Sequence, residues 1–324
     1  MSTKSGCRNL YFNVDISTMV QPTREITQQL STVRDYIRYV VSRMTKGNVY
    51  FGHGTDNALD EALVLVLHAV GIPLGQHDML LDARLTDEEK KQVLAMTDAR
   101  VIDRIPLPYL TGEAWFAGMP FVVNEQVLIP RSPIAELIEQ GFQPWLGDTE
   151  VTRILDLCTG SGCIGIACAH YFDGAEVELS DVSAEALTVA QRNIDRYDLQ
   201  RQVRTVVSDL FANLERPYDL IVSNPPYVDS EDYADMPAEY RHEPMLALTA
   251  GDDGLDIARR ILVEAADYLS DGGLLVLEVG NSGVALDEAF PAVPFTWVEF
   301  ERGGHGVLVM QKSDLLAYRS QFTA

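Results

Sequence analysis

Basic residues are scarce in this chain: 25 lysines and arginines stand against 48 aspartates and glutamates over 324 residues, for a formal net charge of −23. No Lys/Arg-rich run interrupts the excess. Duplex DNA binders gain most of their affinity by neutralising phosphates and releasing counterions, so direct DNA binding is not expected, and the field of the molecule favours a basic partner. Cysteine is scarce as well. Among Cys7, Cys158, Cys163 and Cys168 no C-x-x-C pair occurs, which argues against zinc and against a disulfide framework. Reduced thiols in a cytoplasmic protein fit best. The six histidines are scattered, without H-x-x-x-H or H-E-x-x-H spacing, so no metal is assigned. No apolar run is long enough for a membrane-spanning helix. Residues 1–23 lack an apolar h-region and read as a weakly packed or disordered leader.

What is present is organised in three parts. Residues 24–105 are helical by periodicity and form a small bundle, expected to recognise the substrate. The stretch TREITQQLSTVRDYIRYVVSRMTKG places Leu30, Val33, Ile37, Val40, Val41 and Met44 at helical spacing and reads as one helix ending at Gly47. ALDEALVLVLHAVGIP is a second, stopped by Gly71 and Pro73. A third opens at Thr86, with Glu89 three residues on in a capping-box pattern. Residues 106–133 break into short β-prone runs and read as a hairpin linker. From 134 to 324, strand candidates RILDL, AEVELS, QVRTVV, YDLIVS and GGLLVLEV alternate with helical stretches. That alternation implies a doubly wound α/β sheet of parallel βαβ units. The tail FTWVEFERGGHGVLVMQ adds an antiparallel hairpin at one edge.

The strongest local signal follows the first of these strands. ILDLCTGSGCIGI carries Gly160-x-Gly162-x-x-Gly165 between a strand and a helix. Glycines there allow a tight turn and close approach of a ligand to Thr159, Gly160, Ser161 and Gly162. Asp156 lies inside the strand, where an acid would face the pyrophosphate of a dinucleotide. A sulfonium cofactor without phosphates tolerates it, and Asp156 could hold the ammonium of a methionine moiety. Asp181, followed by Val182, ends the second strand and suits ribose hydroxyls. Asp209 and Leu210 follow the third strand, near the expected adenine, with Phe211 placed to cover the ring. Three acids at three successive strand ends favour S-adenosylmethionine.

The fourth strand ends in Asn224-Pro225-Pro226-Tyr227. Two prolines have fixed φ and no N–H to donate, and each holds the residue before it extended. The result is a stiff ledge at the switch point of the sheet, facing the sulfonium. An amide or aromatic-amine nitrogen is a poor nucleophile because its lone pair is delocalised. The Asn224 side-chain oxygen and the Pro225 carbonyl can accept both hydrogens of a planar NH2, which aims the lone pair at the methyl group. Tyr227 can stack on the planar group. Adenine N6 and the glutamine side-chain amide both present such a group, and charge favours the protein substrate.

These motifs, over about residues 25–315, resemble the HemK/PrmC-type class I methyltransferases, which modify the N5 nitrogen of protein glutamines. PYLTGEAWFAGMPFVV, the glycine loop, NPPY and HEPMLALTAGDDGLDIARRIL carry the likeness. The resemblance implies a Rossmann-like catalytic domain using S-adenosylmethionine, with Asn224 and Pro225 as the glutamine clamp. Release-factor methyltransferases typically carry PRPxTE where this chain has Pro130-Arg131-Ser132-Pro133-Ile134. That segment and YFGHGTDNALDEALVLVLH are similar to the PrmB-type branch, whose substrate is a glutamine of the third large-subunit ribosomal protein. One departure is Leu59-Asp60, where an aromatic before the acid is expected. Release-factor methylation, an N6-adenine nucleic-acid methyltransferase, a nicotinamide oxidoreductase and a non-catalytic binding protein are the alternatives.

Overall fold

The computed structural model describes residues 23–323 except Arg216. The expected leader up to residue 22, and Cys7 within it, lie outside the described residues. The helical region comprises α1 (Thr23–Gln29), α2 (Val33–Lys46), α3 (Ala58–Ala69) and α4 (Asp87–Val101). The single first helix expected from periodicity is in fact two. Thr32 Oγ1 accepts a hydrogen bond from the Asp35 N–H, and the Asp35 carboxylate accepts from the Thr32 and Ser31 N–H groups. This capping box starts a new helix and ends the pattern of the old one. Thr86 and Glu89 form the same box at α4, as anticipated, while Asn57 caps α3. Tyr36, Val40, Met44, Leu65, Val66 and Val93 are fully buried between these helices.

A short helix, α5 (Leu107–Thr111), precedes the antiparallel hairpin of β1 (Glu113–Phe116) and β2 (Met119–Val122). Then α6 (Ile134–Glu139) leads into the alternating region: β3 (Arg153–Leu157), α7 (Cys163–Tyr171), β4 (Glu176–Asp181), α8 (Ala184–Arg196), β5 (Val203–Val207) and β6 (Tyr218–Ser223). After β6 come α9 (Ser230–Asp235), α10 (Asp256–Tyr268), β7 (Leu269–Glu278), α11 (Gly283–Ala289), β8 (Thr296–Trp297), β9 (Val307–Gln311) and α12 (Lys312–Ala317).

Seven strands form one sheet in the order β5-β4-β3-β6-β7-β9-β8. Strands β5 to β7 are parallel, and β9 runs antiparallel to both neighbours, the edge hairpin expected from the tail. The order reverses between β3 and β6, so their C-terminal ends open the crevice in which doubly wound sheets hold ligands. Apolar side chains cover both faces of the sheet in two large clusters.

A buried ion network joins the helical region to the turn between α9 and α10. Arg100 of α4, 1% exposed, donates from Nε to Glu61 of α3 at 2.5 Å and from Nη2 to the Tyr50 carbonyl at 2.6 Å. Its Nη1 reaches Glu239, in the turn between α9 and α10, at 3.2 Å; Arg104 reaches the same carboxylate at 3.3 Å. Removing one partner from such a network leaves buried charge uncompensated. Arg100→Ala is therefore expected to lower unfolding free energy by about 3–5 kcal/mol, read by chemical denaturation. A loss under about 1 kcal/mol would mean that water or Arg104 replaces the guanidinium.

Candidate active site

The loop after β3 is shaped by its glycines and by the acid before it. Gly160 has φ +55°, and a Cβ built on it meets nothing within 4 Å, so its backbone faces open space. Gly165 is glycine for another reason: a Cβ there would lie 2.2 Å from Leu179 Cδ2 of β4 and 2.9 Å from Asp156 Cβ. Asp156, 1% exposed, accepts from Thr159 Oγ1 at 2.5 Å and from the Gly165 N–H at 2.8 Å. Its Oδ1 is buried without a hydrogen-bond partner. Burial outweighs both bonds and pushes its carboxyl up to about 7. Asp156 thus holds the loop from behind and does not line the cavity in front of it.

That cavity is walled by Thr159, Gly160, Ser161, Asp181, Val182, Asp209, Leu210, Asn224 and Pro226, so most residues expected around the cofactor meet there. Asp181 accepts from the Gly160 and Ser183 N–H groups, both at 2.9 Å. Burial raises its carboxyl above the ordinary range. Val182, 53% exposed, offers an apolar wall beside it. Asp209 is exposed and paired with Arg260 at 2.8 Å. Phe211 is a correction: it does not cover the cavity. Leu210 adopts φ +47°, and Phe211 turns into the core, fully buried and stacked on Tyr268 with ring centroids 4.6 Å apart. Leu210 and Ile257 supply the apolar wall in its place. Gly162, at φ +81°, starts α7 and stands off the wall.

Asn224 also borders a second cavity, walled by Pro225, Tyr227, Asp232, Tyr240, Glu278 and His305 among others. The Asn224 Oδ1 is buried and has no hydrogen-bond partner. An unsatisfied acceptor at a wall common to two cavities is costly unless a ligand supplies the donor. Tyr227 donates from its hydroxyl to Glu278 Oε1 at 3.1 Å, and Ser132 donates to Glu278 Oε2 at 2.5 Å. Burial lifts the Glu278 carboxyl to about 7 despite these bonds.

Several wall residues carry no short motif. Arg131 borders both cavities and forms a bidentate pair with Glu243, at 2.6 and 2.8 Å. Burial would raise the Glu243 carboxyl, but His53 and the Arg131 guanidinium prevail and hold it down at about 2. Leu128, Leu246 and Thr249 complete the first cavity. Asn193 is fully buried and donates to the Ser161 and Val122 carbonyls, at 2.9 and 3.0 Å, joining the hairpin to the glycine loop. The Arg131-Ser132 segment and the HEPMLALTAG stretch, which holds Glu243, Leu246 and Thr249, were the visible signs of the first group, without a role attached to any of the three; Asn193 reads as an ordinary helical residue.

Among the described residues, the first cavity has one arginine or lysine on its wall, Arg131, and that cation is already paired. Phosphates would find no free cation there, whereas two carboxylates, open glycine backbone and apolar walls fit a phosphate-free cationic nucleoside. Fold and site together define a class I methyltransferase of the S-adenosylmethionine-dependent type. Residues 142–239 match the family described as MTS, methyltransferase small domain. The ribosomal protein uL3 glutamine methyltransferase of Francisella tularensis subsp. tularensis is 51% identical over 93% of this chain and 97% of that protein. The Neisseria gonorrhoeae protein of the same name is 46% identical over 90% and 98%. Among solved structures, the catalytic domain of hMettl16 with a MAT2A 3′UTR hairpin is 20% identical, with a TM-score of 0.48, over 69% of this chain and 81% of that one. The chain belongs to the ribosomal protein uL3 glutamine methyltransferase family, which sets aside the oxidoreductase reading.

Two buried carboxyls with raised values make stability fall as pH rises. Asp156 and Glu278 sit at about 7 in the fold, against about 4 in the unfolded chain. The stability each contributes by keeping its proton is complete below about pH 4 and is lost as pH rises through about 7, to the extent of roughly 4 kcal/mol per group. Asp156→Asn is expected to flatten the decline in melting temperature between about pH 5 and 8. An unchanged slope would show that Asp156 titrates at an ordinary pH in the folded protein.

Proposed function

We propose that this protein transfers a methyl group from S-adenosylmethionine to the side-chain amide nitrogen of a glutamine in ribosomal protein uL3, acting in the cytoplasm. The observation that carries the reading is Asn224, whose partnerless Oδ1 stands at the wall between the two cavities. Family membership supports the substrate.

When bound, S-adenosylmethionine supplies an electrophilic methyl group on a cationic sulfur. Asp181 would hold its ribose hydroxyls, and Val182 and Leu210 its adenine. Asp209 would have to exchange Arg260 for the adenine amino group. The backbone of Thr159 to Gly162 would approach its amino-acid end, with Asp156 acting through the loop. On the other side, Asn224 Oδ1 and the Pro225 carbonyl accept the two N–H donors of the glutamine amide. Holding both hydrogens in the plane leaves the nitrogen lone pair facing the first cavity. Tyr227 lies against the amide plane. Pro225 and Pro226 keep the clamp rigid, because neither can rotate about φ. The surplus of 23 negative charges suits a basic protein substrate and disfavours duplex DNA.

The test is labelled-methyl transfer with purified uL3, a peptide-chain release factor and duplex DNA offered in parallel. Label on uL3 alone, mapped to glutamine, is expected. Label on the release factor would keep the chemistry and change the substrate; label on DNA would overturn the charge argument. Asn224→Ala is expected to lower methylation roughly 10²–10³-fold, as for loss of a preorganised polar contact. Its affinity for S-adenosylmethionine, measured by calorimetry, should change less than about threefold, since the clamp acts on the substrate. Equal losses of affinity and rate would refute the clamp.

A further inference from the structure

Resting on that reading, we propose that Glu278 is a positioning residue of the transfer reaction: it holds the Tyr227 ring in place against the glutamine amide. The sheet puts it there. Ser223 of β6 pairs with Leu277 of β7 in parallel register, so Asn224, the first residue beyond β6, comes beside Glu278, the last residue of β7, which is still paired with Val307 of β9. Both border the second cavity.

Tyr227 is confined from several sides. A Cβ on Gly280, which has φ +48°, would lie 2.4 Å from Tyr227 Cε2, so the ring rests on bare backbone. The Tyr227 carbonyl accepts from Ser282 Oγ at 2.7 Å, and a Cβ on Gly254 would lie 2.3 Å from that carbonyl. These contacts fix the main chain and one face of the ring. The hydroxyl end is fixed by Glu278 Oε1 at 3.1 Å. Glu278 is itself fixed by Ser132 at 2.5 Å, and Ser132 Oγ accepts from the Ile134 N–H at 3.1 Å.

The tether depends on ionisation. A carboxylate is acceptor-only and takes both hydroxyl hydrogens, whereas a neutral carboxyl carries a hydrogen of its own, so one of the two contacts must turn round, with the hydroxyl oxygen accepting, or weaken. The Tyr227 phenol is held above its ordinary range by burial and by Glu278, so it stays a donor. The groups facing Glu278 are Ser132 and Arg131 from the linker and Tyr227 after β6, with Asp232, Tyr240 and His305 around the same cavity. Arg131 is engaged by Glu243, so the tether carries most of the burden of keeping Glu278 ionised. Its titration near neutrality places the locking of Tyr227 within the working pH range.

The experiment is the pH dependence of kcat for uL3 methylation between about pH 6 and 9. It compares the intact enzyme with Glu278→Gln, Tyr227→Phe, the double variant and Ser132→Ala. The intact enzyme should gain rate as pH rises through about 7, and Glu278→Gln should be about tenfold slower and nearly independent of pH. The double variant should be no slower than Tyr227→Phe, because one residue acts through the other. Ser132→Ala removes a donor to the carboxylate, so its rate midpoint should move to higher pH. Two readouts lie outside activity: calorimetric affinity for S-adenosylmethionine should hold within about twofold in every variant, and Glu278→Gln should lose part of the decline in melting temperature between about pH 5 and 8. If Glu278→Gln does not fold, the midpoint of Ser132→Ala decides. Failure of the intact enzyme to methylate uL3 would overturn the proposed function, and with it this role. An active enzyme whose Glu278→Gln form keeps the normal pH profile, or whose double variant loses the product of the single losses, would overturn the role alone.

Discussion

The pairing of β3 with β6 is the constraint from which the site follows. Asp156 faces Val222 and Leu157 faces Ser223 across a parallel ladder, and the Ser223 hydroxyl donates to the Leu157 carbonyl at 2.7 Å. This bond ties the two strands together at the point where both leave the sheet. One chain continues into the glycine loop and the other into Asn224 and the two prolines. A slip of one residue would reverse every side chain on the slipped strand, turning Leu220 and Val222 out of one core cluster and Ile221 out of the other. The register is therefore held by apolar packing far larger than the polar groups it serves. The crevice between the two cavities is a by-product of where that ladder ends.

Charge then decides how the helical region meets this crevice. The turn from residue 238 to 243 supplies Glu239 to Arg100 and Arg104, and Glu243 to Arg131. His53, also buried, lies 3.7 Å from Glu243 and against the Tyr240 ring, with centroids 4.6 Å apart. Residues 50–61, 100–104, 131 and 239–243 thus form one polar seam through otherwise apolar packing. Such a seam contributes little net stability, because desolvation offsets attraction. What the seam does supply is multiple attachment: each carboxylate is held by two or more partners from different parts of the chain. The seam ends at Arg131, which borders both cavities, so the placement of the helical region bears directly on the site.

The parts legible in the sequence are those written in neighbouring residues. The glycine loop, the acid ending β4 and the Asn-Pro-Pro-Tyr ledge are punctuation at strand ends, where backbone geometry restricts residue choice within a few positions. Alternation of strands and helices was legible for the same reason. Local grammar failed where a distant partner decided the outcome. Ser31 and Thr32 sit in an unbroken helical pattern, yet a side-chain cap ends one helix and starts another. Phe211 had the right position and chemistry to cover a ligand, but a left-handed turn at Leu210 and the Tyr268 ring drew it into the core. Glu278 reads as the end of a buried strand, and only the fold brings it to Ser132 and Tyr227. The pair of Arg131 and Glu243 spans 112 residues, beyond anything spacing can reveal.

The two glutamates of the site differ by about five pH units, at about 2 for Glu243 and about 7 for Glu278. Both are buried, and both are near the same guanidinium. The difference lies in their partners: Glu243 has His53 and most of Arg131, and Glu278 has neither in full. Arg131 faces Glu243 with two N–H donors in a bidentate fork, the geometry in which a carboxylate gains most from a cation. Little of that charge is left for Glu278, whose partners are hydroxyls. A hydroxyl donor lowers a carboxyl far less than a paired cation does. The seam keeps one acid permanently ionised as a structural post, and by using up the cation it leaves the second acid free to titrate beside the substrate cavity. A second arginine here would lower Glu278 as well and make the tether to Tyr227 insensitive to pH. His53 and the guanidinium of Arg131, the one arginine or lysine among the described residues on the walls of both cavities, together set the two acids apart.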